Sequence, residues 1–402
     1  MSLQVLSTYK DFKTKIRFSW MLDKSYLVKQ FTYSLSQYMP SIYAEIVLVL
    51  DSNKFLEFKN IDQLKIQDRL IDIWFEPELY NIKLKKKFFS GPFQFVVVQY
   101  EFAQCQIADM DLEYENINDT KVILLRCIDP TFYKMTLDQR VTSYGKVNIS
   151  SVIKKIAARN GAKIKKLVDT DFAFNWLQTQ YTDYEMIRFL LPYSRSTDGE
   201  DMYTFFMMNN ELYFAPISAN KKYPIRFKLD MIKNLDGTYQ TSDMKAIIEK
   251  YGSKDSLYSF HHGFSNFESV NPKPMATQSF ISNKSHNKQH TGVATRYIDS
   301  IIEEKTLQEI YISNLRHRIH TFSRLLTFKA EAIPEITPIS CIEIISESNG
   351  KTKELDGIYY VASVKYTFGM TNTYPDLPYM DLYLCSELDS KGLANPEGRP
   401  IE

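Results

Sequence analysis

Two carboxylic acids flank a tyrosine in the stretch QTQYTDYEMIRFLLP at 178–192: Asp183 and Glu185, on either side of Tyr184. Acid–base hydrolysis of a glycosidic bond needs such a pair, one to protonate the leaving oxygen and one to act as base or nucleophile. Three further groupings hold residue types with chemical potential. His286-x-x-x-His290 has the spacing that sets two imidazoles on one helix face, as in a zinc pair. Asp109, Asp111, Glu113 and Glu115 alternate, so in a strand they share one face. Lys83, Lys85, Lys86 and Lys87 precede Phe88 and Phe89, a mixture that neutralises phosphates and stacks bases.

Each grouping also has a structural explanation, and in each the structural explanation is the stronger. Thr182-x-x-Glu185 is a capping box, in which the hydroxyl accepts from the third amide and the glutamate reaches back to the cap amide. Asp183 falls in the first turn, where the helix dipole favours negative charge. Met186, Ile187, Leu190 and Leu191 then make an apolar stripe, and Pro192 marks the stop. Helix initiation accounts for both acids. The His286 pair encloses Asn287, Lys288 and Gln289 with no glutamate after the first histidine, so it is not a metalloprotease motif. The alternating acids read as a solvated face, and the lysine run as a charged strand edge. Lys154, Lys155, Lys163, Lys165 and Lys166 likewise read as a solvated face. His261-His262 carries no assigned role, and His317 and His320 sit at the polar end of a predicted helix. Cys105, Cys127, Cys341 and Cys385 lie far apart without a Cys-x-x-Cys, as buried hydrophobes of a reducing compartment do. Walker A, G-x-S-x-G and G-x-G-x-x-G motifs are absent from the sequence. No catalytic, cofactor-binding or metal residue is assigned.

The elements that carry these residues follow from pattern. The 402 residues are enough for two or three domains with their own cores. Lys+Arg 49 against Asp+Glu 48 gives a net charge of +1, which excludes a whole-chain field for nucleic acid or acidic membrane. Aromatics reach 14%, with 27 Tyr and 26 Phe, a bias toward sheets and aromatic-rich interfaces. The 13 Gly are few for glycine-rich cofactor loops. The first residues lack a secretory h-region, and no apolar run is long enough to span a bilayer.

Strands are predicted at Lys15–Trp20, Asp68–Phe75, Pro92–Phe102 and Thr120–Ile128. Near 145 the character changes: Asn148 caps a helix bearing Val152, Ile153, Ile156 and Ala157, and Asn160-Gly161 stops it. After the 182–191 helix, Met202–Met208 and Glu211–Pro216 flank Asn209-Asn210, a two-residue hairpin turn. Periodicity is lost over 253–296, read as a long loop, and a helix follows with Ile298, Ile301, Ile302, Leu307, Ile310 and Leu315. Strand patterns return at Leu325–Ala330, Ile339–Ser346, Gly357–Phe368 and Tyr379–Cys385. There is no repeat at a short period, but two strand-rich regions around a helical module permit a duplicated barrel.

Three stretches together resemble a known family. Gln178 to Ile187 is similar to a helix start reading Q-x-x-x-S/T-D, an aromatic, a free position and two apolar residues. Leu212-Tyr213-Phe214-Ala215-Pro216 ends the hairpin that follows it. Asp356-Gly357-Ile358-Tyr359-Tyr360-Val361-Ala362-Ser363-Val364-Lys365-Tyr366-Thr367-Phe368 looks like D-G-x-Y-x-V-x-S-V-x-H-x-F. The family that the chain resembles is the baseplate hub proteins of tailed phages, a group that includes the late-control tail proteins and the hub part of type VI secretion spikes. Tyr366 departs from the family's common histidine, and Ile336-Thr337-Pro338-Ile339 lacks its usual glycine.

The resemblance implies a mainly β chain with α+β insertions and two tube-like antiparallel barrels. The first barrel would take 1–139, and a helix and hairpin module 140–216. The second would take 217–255 with 319–395, interrupted by the 256–318 loop and helix, before a 396–402 tail. It implies a structural virion protein, a homotrimer whose six barrels match a hexameric tail tube on one side and a trimeric central spike on the other. Tail tube or tube-initiating baseplate protein, spike, and passing genome DNA would be its partners. It would sit at the tail baseplate after assembly in the host cytoplasm, with no membrane anchor and no enzyme activity. The alternatives are a tail-associated peptidoglycan hydrolase using Asp183 and Glu185, and a single-strand-binding module centred on Lys83 to Phe89.

Overall fold

The structure is a computed structural model that describes residues 12–18, 25–37, 40–50, 70–77, 93–103, 121–200, 202–228, 233–239, 257–260, 296–299, 304, 306–311, 313–314, 324–333, 335–345, 356–369 and 379–386. β1 (Phe12–Phe18), β2 (Ser25–Ser36), β3 (Tyr43–Leu50), β4 (Leu70–Pro77), β5 (Phe93–Ala103) and β6 (Lys121–Ile128) open the chain. Their antiparallel pairings run from β1 to β4, β5, β6, β3 and β2. β2 then pairs back to β1, from Lys15↔Leu27 to Arg17↔Ser25. Alternation sends Phe31, Tyr33, Leu35, Ala44, Ile46, Leu48, Ile123, Leu125 and Cys127 into one core.

The middle of the chain is a separate packing problem. It comprises α1 (Pro130–Leu137), β7 (Gln139–Asn148), α2 (Ile149–Asn160), β8 (Lys163–Leu167), β9 (Ala173–Thr182), α3 (Asp183–Leu190), β10 (Tyr203–Met208) and β11 (Glu211–Pro216). Asn148 accepts from the Ser151 amide to cap α2, and Gly161 ends it at φ 72°. Asn209 and Asn210, at φ 52° and 63°, make the tight hairpin turn between β10 and β11. This hairpin is buried on both faces. Phe206, Tyr213 and Ala215 join the core of the first strands, while Tyr203, Phe205, Met207, Leu212 and Phe214 join that of the helices. The unbroken apolar runs of β10 and β11 are the sequence form of that position.

The last part contains β12 (Ile225–Lys228), β13 (Lys233–Tyr239), β14 (Leu257–Phe260), β15 (Arg296–Asp299), β16 (Arg324–Glu331), β17 (Cys341–Ile345), β18 (Gly357–Gly369) and β19 (Tyr379–Ser386). Setting β14 and β15 aside, the pairings run β12, β17, β18, β19, β16, β13. Numbered within its own set, this is first, fourth, fifth, sixth, third, second, the order of β1 to β6. The repeat extends to a defect. In β5 the register slips between Val97 and Gln99 against β6; in β18 it slips between Val361 and Ser363 against β19. Each bulge lies just past the residue that pairs on both sides, Val96 and Tyr360. A bulge bends a strand and is a placed feature, so its recurrence marks the two sets as copies of one design. They differ at one end: β12 pairs parallel to β17, and no β12–β13 pairing matches β1–β2 among the described strands.

β2 of the first set pairs antiparallel with β18 of the second, Ser36↔Ser363 to Gln30↔Gly369, which joins both into one 12-stranded sheet. The long segment expected as loop holds the parallel pair β14–β15. Ile298 is a residue of β15 rather than of a helix; among the described residues of this segment helix begins at 306, with Leu307 and Ile310 buried in the core that the helices share.

Candidate functional site

Asp183 and Glu185 begin the same helix but face different surroundings. The capping box is formed: the Glu185 amide donates to Thr182 Oγ1 at 3.2 Å, and Glu185 Oε2 accepts from the Thr182 amide at 2.8 Å. The same Oε2 lies 3.0 Å from the Thr182 hydroxyl. These donors, the Thr182 amide first, hold the Glu185 carboxyl below its usual range, which disfavours it as a proton donor.

Asp183 is 2% exposed and lies in a polar cluster between α2, α3, β7 and β9. Arg159, in the last turn of α2, donates through Nε to Oδ2 at 2.8 Å and through Nη2 to Oδ1. Asn160 Nδ2 donates to Oδ2 at 2.6 Å, and Gln178 Nε2 to Oδ1 at 3.1 Å. Arg159 also reaches the Tyr144 hydroxyl at 2.8 Å and Gln178 Oε1 at 2.9 Å, and Tyr144 donates to Gln178 Oε1 at 2.7 Å. Burial raises the Tyr144 phenol, with Arg159 working against it. Two irregularities of the β7–β9 ribbon flank these side chains. The register slips at Tyr144, ahead of Gly145 at φ 72°, and at Gln180, itself at φ 58°. A positive charge at the end of α2 meets a negative charge at the start of α3, each where its helix dipole stabilises it.

This arrangement positions helices. Both Asp183 oxygens are engaged and the group is closed to solvent, so no substrate oxygen reaches it. The capping reading thus holds for Glu185 and is incomplete for Asp183, whose ion-pair partner Arg159 the sequence did not single out. Gln178 and Asp183 explain the Q-x-x-x-S/T-D spacing: both are first-hand members of the cluster, five residues apart. A second pin ties the module to the first strands. Asp129 caps α1 through the Thr131 and Phe132 amides and accepts from the Asn210 amide of the hairpin turn at 2.9 Å. Met207 exchanges backbone bonds with Pro40 and Ile42.

The other candidates divide plainly. Lys154 pairs with Asp169 and Lys165 with Glu211 on an exposed face, as solvated lysines do. Cys127, Cys341 and Cys385 are buried free thiols. Burial pushes Cys341 up to about 12 and raises the other two, so none is a thiolate at neutral pH. Among the described residues no group of three His, Cys, Asp or Glu is placed to hold a metal. Lys83–Phe89, Asp109–Glu115, Cys105 and all six histidines lie outside the described residues.

No protein-family model and no curated protein matches the chain. Solved structures do. A tail protein from Neisseria meningitidis superposes at TM-score 0.57 with 8% identity, over 93% of this chain and 96% of that one. The 43 kDa tail protein of a Shewanella oneidensis prophage gives 0.57 with 10% identity, over 93% and 97%. The fold is that of the phage tail proteins. An E. coli type VI secretion component, described as similar to the T4 tail proteins gp27 and gp5, shares this tail-protein fold at TM-score 0.51 and 9% identity, over 93% and 77%.

Thr182→Ala removes the hydroxyl half of the box and is expected to cost about 1 kcal/mol in urea unfolding. Glu185 titrates lower folded than unfolded, so its contribution is present above the usual glutamate range and fades as pH falls through the folded value. The acid limb of the stability–pH profile flattens in Glu185→Gln; an unchanged limb contradicts this.

Proposed function

We propose that this chain is a structural hub of a phage tail, a homotrimer forming a pseudo-sixfold ring around the DNA channel. The observation that carries it is the strand order repeated within one chain, bulge included. Each six-stranded set serves as a tube-type barrel: the first within 1–139, the second from 217–255 with 319–395. The 140–216 module and the 256–318 insertion are carried between and upon them. Three chains then present six equivalent units to a hexameric tail tube or tube-initiating baseplate protein, and threefold units to a trimeric spike. The protein assembles in the host cytoplasm and resides at the virion baseplate. Its buried polar cluster and capped helices are scaffold, and it performs no catalysis.

The mass of the purified chain in solution, alone and with a spike partner, tests this. A trimer in either sample is expected; a monomer in both at every concentration ends the proposal. The hydrolase alternative predicts clearing of a purified cell-wall suspension that Glu185→Gln abolishes, and the hub predicts no clearing by either.

A further inference from the structure

Among the described residues that are not glycine, positive φ is found at Asn209 and Asn210 in the hairpin turn, at Gln180 in a bulge, and at Met202, with φ 59°. Such a backbone is strained for methionine and persists only where its surroundings fix it. What fixes it lies 112 residues along the chain. Asn314, 2% exposed, accepts from the Met202 amide through Oδ1, and its Nδ2 donates to the carbonyls of Ser194 at 3.0 Å and Pro192 at 2.9 Å. One side-chain amide thus bridges both ends of the 194–202 loop, as a neighbouring strand would. The same loop holds the way out of the helical module. The Met202 carbonyl accepts from the Ile217 amide at 3.2 Å, and Glu200 Oε2 accepts from the Ser218 hydroxyl at 2.6 Å. Residues 217–224 then run on into β12, where the second strand set begins.

Asn314 ends the described part of the helix that begins at 306. Glu304 caps its start, accepting from the Leu307 amide at 3.0 Å. Leu307 and Ile310 are wholly buried, and Tyr311 stacks on Tyr193 at 5.4 Å between centroids. In chain order this helix stands between β15 and β16, so the chain that supplies it goes on into the second strand set. We infer that the helix is a strap that locks the hinge between the helical module and the second strand set. Seated, it joins the ends of the 194–202 loop and holds Met202 in its left-handed backbone, with the Met202 carbonyl on Ile217. Unseated, Met202 relaxes to an extended backbone, the Ile217 bond is lost, and the hinge bends. The strap is the separable part: α2, α3, β10 and β11 share a core among themselves, to which it adds Leu307 and Ile310. The inference stands whether or not the chain forms a ring.

Hydrogen exchange on the full chain tests this, with urea midpoints measured alongside. The amides to follow are Ser196, bonded to the Glu200 carbonyl, Gly199, bonded to that of Ser196, and Ile217. Asn314→Ala is expected to speed their exchange about tenfold or more, the range for leaving buried backbone groups unpaired. The amides of α2 and of the β7–β9 ribbon keep their rates. Leu307→Ala weakens the other end of the strap and leaves Asn314 in place, and the same amides are expected to speed up together, now with Met202. Faster exchange in Asn314→Ala alone makes Asn314 a local brace of the loop and overturns the strap. Exchange that rises as much in α2 as in the loop makes the helix an inseparable part of the module core, and also overturns it. So does an unchanged loop in both variants. Should Asn314→Ala fail to fold, Leu307→Ala decides; if that variant fails to fold as well, the helix does not detach and the strap is overturned.

Discussion

Asp183→Ala is expected to cost about 3–5 kcal/mol, the range for breaking a buried ion pair by removing one partner. The loss is not of one contact. Arg159, Asn160 and Gln178 all donate to this carboxylate, and its removal leaves three donors around a cavity that α2, α3 and β9 enclose. Arg159→Met leaves the reverse problem, a buried carboxylate retaining two amide donors and, as its cation, only Arg140, whose Nε lies 4.0 Å from Oδ1. Because the two side chains act as a unit, the double variant should cost clearly less than the sum of the singles. Urea midpoints of the four chains measure that coupling. Additive costs would mean that the pair is a surface-type bridge, and the cluster would then not hold the helices. Glu185→Ala, at an exposed carboxylate, provides the contrast: if Asp183 and Glu185 were equivalent caps, the two substitutions would cost alike.

What the sequence revealed depended on the range of the interaction. The capping box joins residues three apart and the Asn209-Asn210 turn is two residues long, so both were legible as written. Arg159 and Asp183 are 24 residues apart, and no local pattern joins them. β7 and β9 form a polar ribbon exposed along much of its length, with bulges that break alternation, so period-two reading passed over them. α1 is a helix of 8 residues whose core contribution is Thr131, Phe132 and Met135, too short a stripe for periodicity. The duplication did leave a signal. Phe95-x-Val97-x-x-Tyr100-x-Phe102 and Tyr359-x-Val361-x-x-Val364-x-Tyr366 share the same break in alternation, and the break is the bulge. A search at short period misses it because the copies lie hundreds of residues apart with a module between them. Gly357, at φ 148°, explains the glycine of the Asp356-Gly357 motif, since side chains rarely adopt that backbone.

Tyr366 is where the fold's seam is most exposed to mutation. It is wholly buried, lies directly opposite Tyr33 across β18 and β2, and stacks on that ring at 4.6 Å between centroids. Its hydroxyl lies 2.7 Å from the Ile333 carbonyl and 2.9 Å from that of Ile336, in the turn before β17. Burial raises its phenol well above the usual value, so it stays neutral and able to donate. Tyr366→Ala combines a cavity with a lost donor, and about 3–5 kcal/mol is expected from the cavity alone. Tyr366→Phe keeps the stack and loses the donor, at about 1–3 kcal/mol. Tyr366→His shortens the ring but keeps an N–H, and the family resemblance places a histidine here. If the polar tip matters as the geometry implies, His should retain part of what Phe loses in the turn while giving up part of the stack. Hydrogen exchange locates the effect: β18 and β2 amides should lose protection together in Ala, because the residue closes the joint that holds the two strand sets in one sheet. Protection lost only near Ile336 would reduce Tyr366 to an anchor for that turn and leave the joint to its backbone bonds.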